Sequence, residues 1–129
     1  MKSLAQVQAQ LAFDMQSSFK ALRYARDHRG ETEPGEKPES ALWLQSLQED
    51  FSAANDAYQK FLVGDYKPAI ARLEDEISKC KRIAYAIPRA GDLEEGAKEL
   101  IRQGLREGIE ELEEFVTTLR YAMRLRIDD

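Results

Sequence analysis

The chain has 129 residues, 33% of them charged and 43% hydrophobic, and a formal net charge of −5. That length holds one core and leaves no room for a second domain of ordinary size. An acidic balance argues against a non-specific nucleic-acid binder, which needs a surplus of lysine and arginine to meet phosphates, and it suits a partner with a basic surface.

The opening Met1-Lys2-Ser3-Leu4-Ala5-Gln6-Val7-Gln8 carries glutamines where a secretory leader needs an apolar centre. No run approaches the length of a membrane span. With a single cysteine, Cys80, no disulfide framework can form within one chain. A cytoplasmic protein without membrane contact is the expectation.

A first helix is predicted from about Ser3 to His28. Leu4, Val7, Leu11, Met15, Ser18, Leu22 and Ala25 recur at helical spacing on one face, which Phe19 widens. Arg23, Arg26, His28 and Arg29 crowd its last turns, where cations complement the helix dipole, and Gly30 supplies a stop. Residues 30–38 read as a mobile acidic surface loop, since two prolines, two glycines and three glutamates have no means of burying themselves.

Ser40 is the expected N-cap of a second helix that runs to about Val63, with Leu44, Leu47, Phe51, Ala54, Tyr58 and Phe61 as its seam. Gly64-Asp65 ends that helix and caps a third, which accepts Pro68 in its first turn. So short a connection predicts antiparallel neighbours. The third seam is Tyr66, Ile70, Leu73, Ile77, Cys80, Ala84 and Ile87, and Pro88 and Gly91 end it. This heptad position predicts a core cysteine rather than a reactive one.

The fourth helix is predicted to run from a capping-box-like Asp92-Leu93-Glu94-Glu95 to Ile127, with Ile101, Leu105, Ile109, Leu112, Val116, Leu119 and Met123 facing inward. Gly96, Gly104 and Gly108 each cost it about 1 kcal/mol relative to alanine. A bend or a break near Gly104–Gly108 is therefore expected, or else a close backbone approach at Gly108, and one long helix with a bend is the favoured reading. The predicted architecture is all-α: a single domain over residues 1–129, an antiparallel four-helix bundle with a long, bent C-terminal helix.

Function is carried by what this core does not use. Glu107, Glu110, Glu114 and Tyr121 line up on the fourth helix away from Leu112, with Arg106 and Arg120 close enough to relieve their mutual repulsion. On the first helix, Phe13 and Tyr24 project about opposite the seam, along with Lys20. Aromatic residues set among charges are enriched at protein interfaces, so both faces are candidate partner-binding surfaces. No cofactor or metal is expected, since the lone His28 cannot supply the paired ligands of a di-metal bundle.

The turn Gly64-Asp65-Tyr66-Lys67-Pro68-Ala69-Ile70 resembles the inter-helix turn of tetratricopeptide repeats, but no second copy exists to build a solenoid. Arg23-Tyr24-Ala25-Arg26-Asp27-His28 resembles the Arg-x4-His pattern of HEPN-type helical ribonucleases. That resemblance implies RNA cleavage in which His28 moves the proton and Arg23 meets the phosphate charge. The profile as a whole is similar to that of bacterial toxin-immunity proteins. The leading expectation is thus a non-catalytic inhibitor of a basic-surfaced protein. The alternatives are the helical ribonuclease and a structural module that self-associates through the surplus length of the fourth helix.

Overall fold

The structure is a computed structural model that describes residues 2–28 and 37–127. The protein is all-α, as its periodicity predicts: helices α1 (Leu4–Asp27), α2 (Lys37–Leu62), α3 (Lys67–Ala86) and α4 (Glu95–Ile127), with a 3-10 turn at Ile87–Arg89. Contacts gather into two compact units, Ala5–Ala69 and Ile70–Asp129 with the N-terminal Met1–Leu4.

In the first unit, Val7, Leu11, Ser18, Leu22 and Ala25 are buried on α1, in the spacing that the sequence predicts. Ala54, Ala57 and Phe61 are buried on α2. Ser18 belongs to this seam because its hydroxyl donates to the Asp50 carboxylate at 3.1 Å, which satisfies a polar group that burial would otherwise penalise. Beside it the Phe19 and Phe51 rings meet in a tilted pair with centroids 5.5 Å apart.

Two expectations for α2 change. The helix begins at Lys37, so Ser40 lies inside its first turn and is not the N-cap position. Pro38 explains the early start: its fixed φ suits the first turn, where no amide has an intrahelical acceptor to lose. The loop reading for residues 30–36 falls outside the described residues, and Lys37 and Pro38 are helical.

The end of α2 follows the sequence closely. Gly64 has a φ of 90°, a left-handed conformation that a side chain would strain. It lets the Asp65 amide donate to the Lys60 carbonyl at 2.8 Å and the Gly64 amide to the Phe61 carbonyl at 3.0 Å, the paired bonds of a Schellman cap. The Asp65 carboxylate then accepts from the Lys67 amide at 3.3 Å and starts α3. Phe61 and Tyr66 close over the turn with ring centroids 5.2 Å apart.

In the second unit α3 and α4 run antiparallel. Lys81 pairs with Glu113 and Glu74 with Arg120, so seven residues forward on one helix answer seven back on the other. The buried apolar side chains here are Leu73 and Ile77 on α3 and Leu112, Phe115, Val116 and Leu119 on α4. Lys2 completes this end: its carbonyl accepts from the Thr118 hydroxyl at 2.7 Å, and its ammonium lies 5.7 Å from the Phe115 ring centroid. The same ammonium is 3.9 Å from Glu111.

The α4 expectations need three corrections. The helix starts at Glu95 rather than Asp92, because Gly91 and Asp92 form a turn that lets the buried Lys98 reach back to the Pro88 carbonyl at 3.5 Å. As expected of one long helix, it then runs for 33 residues, through both Gly104 and Gly108. A Cβ at either glycine would meet nothing within 4 Å, so neither serves a close approach.

Finally, the stripe is uneven. Leu112, Val116 and Leu119 are buried, Leu105 and Ile109 are half-buried, and Ile101 is exposed. Cys80 on α3 is likewise half-buried, not fully enclosed as its heptad position predicts. Partial burial and the nearby Glu76 carboxylate push its thiol above the ordinary cysteine range, so it is a poor nucleophile at neutral pH.

Candidate partner-binding faces

The outward side of α4 carries the acidic set that the sequence singles out. Glu107, Glu110 and Glu114 are all exposed, and Tyr121 is 51% exposed at the far end of the same face. At about 100° per residue these four positions span only some 60° of the helix circumference, so one approaching surface meets them together. An open groove of about 620 Å³ runs along Glu110, Glu113, Glu114 and Thr117.

Two of the cations near this face are already paired. Arg120 hydrogen-bonds Glu74 on α3, and Lys81 reaches Glu113 at 3.8 Å. Arg106 makes no ion pair among the described residues; it lines a separate groove of about 430 Å³ with Ala84, Arg102, Ile109 and Glu110. Glu107 accepts from the Gln103 side-chain amide at 3.4 Å, a neutral donor. Glu110 and Glu114 have no ion pair among the described residues. Arg120 is thus committed to Glu74, and neither Arg106 nor Arg120 forms an ion pair with Glu107, Glu110 or Glu114 among the described residues.

The outward side of α1 is different in kind. Phe13 is 65% exposed and Tyr24 60% exposed, both turned well away from the buried Val7–Leu11–Leu22 seam, as the sequence predicts. The Tyr24 ring stacks on His28 with centroids 3.9 Å apart, which fixes its orientation. Leu42 and Trp43 on α2 are also exposed, a feature that the seam analysis misses because it follows only the buried side.

Arg23 and His28 do not face one another. Five residues of helix put them about 140° apart around the axis. Arg23 pairs with Asp27 at 3.9 Å, while His28 Nδ1 lies 2.8 Å from the Tyr24 carbonyl. Each is occupied in finishing α1, the arrangement of a charged helix end. Among the described residues no cluster of histidine, cysteine, aspartate or glutamate could hold a metal ion, and no helix is long and apolar enough to cross a membrane.

Three buried polar contacts escape the sequence reading. Thr118 shares its hydroxyl between the Lys2 and Glu114 carbonyls, Lys98 folds over the Pro88 turn, and Ser18 meets Asp50. Of the three, Ser18 alone leaves a signal, since it falls on an apolar stripe. No protein-family model matches the chain, and neither a curated protein sequence nor a solved structure is significantly similar to it.

Proposed function

We propose that the chain is a non-catalytic protein-binding module of the inhibitor or immunity type, which holds a basic-surfaced partner, such as a bacterial toxin, in the cytoplasm. The observation that carries this reading is the α4 face of Glu107, Glu110 and Glu114, exposed and without ion pairs among the described residues, with Tyr121 at its end. Folding gains nothing from such an arrangement, because like charges three or four residues apart cost a few tenths of a kcal/mol per pair. A cationic partner reverses that sign. It would be steered by the carboxylates and anchored by the tyrosine ring.

The test is charge reversal at Glu110 and Glu114 together. Association with the partner should slow, and the loss should shrink as salt rises. The helical signal and melting temperature should stay put, since both side chains point to water. Unchanged binding by this variant, with collapse in a Phe13→Ala, Tyr24→Ala variant, would move the partner's site to α1.

A further inference from the structure

From Leu4 to Phe19 the only ionisable residue on α1 is Asp14, which is half-buried; every exposed position there holds alanine, glutamine, serine, leucine or phenylalanine. In a chain one-third charged, the solvent-facing side of this stretch of α1 carries no charge. That side carries a second seam: Gln6, Gln10, Phe13, Ser17, Lys20 and Tyr24 alternate four and three residues apart, turned well away from the buried one.

We infer that this face is a self-docking surface, on which the α1 helices of two copies of the chain pair antiparallel about a twofold axis. Charge selects the occupant. The protein is acidic, so a second copy is repelled on net, and pairing through the α4 face would set carboxylates against carboxylates. The outward α1 face is where two copies can meet without bringing carboxylates together.

The seam is also self-complementary, as a twofold interface requires. In the antiparallel register that sets Phe13 opposite Tyr24 of the second copy, Ser17 falls opposite Lys20, so each ammonium meets a hydroxyl instead of the other ammonium. The two aromatic pairs stand about 16 Å apart along the helix and bracket this polar centre. Tyr24 is already oriented by its stack on His28, which lowers the ordering cost of the contact.

Sedimentation velocity of the full chain, from micromolar to millimolar, is the test. A monomer–dimer equilibrium is expected that strengthens or holds as salt rises, because no ion pair supports it. Phe13→Lys with Tyr24→Lys should raise the dissociation constant ~10-fold or more, as loss of buried aromatic anchors does. Ser17→Lys, which keeps both rings and sets a second cation opposite Lys20, should also weaken it. Circular dichroism confirms that each variant is folded. For register, in a Cys80→Ser background, Phe13→Cys chains should cross-link with Tyr24→Cys chains in preference to either with itself. A monomer throughout would overturn the proposal, as would a dimer that none of these variants weakens. Binding of a different protein to the wild-type α1 face, with no dimer present, would also overturn it.

Discussion

The outward faces of α1 and α4 are opposites laid on similar helices. α1 buries Val7, Leu11, Leu22 and Ala25, α4 buries Leu112, Phe115, Val116 and Leu119, and each helix leaves an aromatic side chain exposed on its other side. On α1 the rings of Phe13 and Tyr24 share their face with glutamine and serine, whereas on α4 the Tyr121 ring shares its face with carboxylates. A core constrains only the seam, so the contrast is not explained by folding. The α1 face, which carries Lys20 but no carboxylate in its seam, suits a copy of the same acidic chain, and the α4 face suits a partner of opposite sign.

If the buried sides are equivalent and only the outward sides differ, the largest effects should come from either core. Leu11 and Leu119 are fully enclosed, and replacing either with alanine should cost about 2–5 kcal/mol, read by urea denaturation. A loss well under 1 kcal/mol at one of them would show that the two seams are not comparable.

The seams also explain how much of the fold is legible in the sequence. Four helices follow from periodicity, and the end of α2 follows from Gly64 and Asp65, because these are local rules. The start of α4 is not local in this sense. Asp92 and Glu95 fit a capping box, whereas in the structure Gly91 and Asp92 form a turn and Lys98 meets both Glu95 and Pro88, the latter ten residues away. Thr118 is invisible for the same reason, since its partner Lys2 is at the other end of the chain. The α4 stripe looks uniform because apolar spacing reports which side faces inward, not whether anything covers it. Ile101, for instance, is 36% exposed. The two outward faces are legible as residues, but their pairing state is not: that Arg120 is committed to Glu74 depends on the register of α3 against α4.

Next in size are the glycines. Since a Cβ at Gly104 or Gly108 meets nothing, alanine at each should stabilise the protein by about 1 kcal/mol, measured as a rise in denaturation midpoint. A destabilising outcome would mean that a backbone approaches there after all. Thr118→Val keeps the shape and removes the hydroxyl that holds Lys2, and should cost about 1 kcal/mol. A neutral result would show that the N-terminal contact contributes nothing to the α3–α4 unit.

The smallest effect sharpens the comparison most. Glu110→Gln with Glu114→Gln removes like-charge repulsion from α4 and should raise stability by a few tenths of a kcal/mol. Phe13→Glu with Ser17→Glu on α1 should leave the fold intact while weakening self-association. Should the α4 substitutions destabilise instead, the carboxylates have a structural role that the geometry does not reveal.

The central claim, that the two faces serve different partners, is tested most directly by a double dissociation. Sedimentation and retention of the basic-surfaced partner are measured side by side for wild type, Phe13→Lys with Tyr24→Lys, and Glu110→Lys with Glu114→Lys. The expected result is that the first variant loses self-association and keeps the partner, while the second keeps self-association and loses the partner in a salt-dependent way. Loss of both activities in one folded variant, or of neither in both, would contradict it.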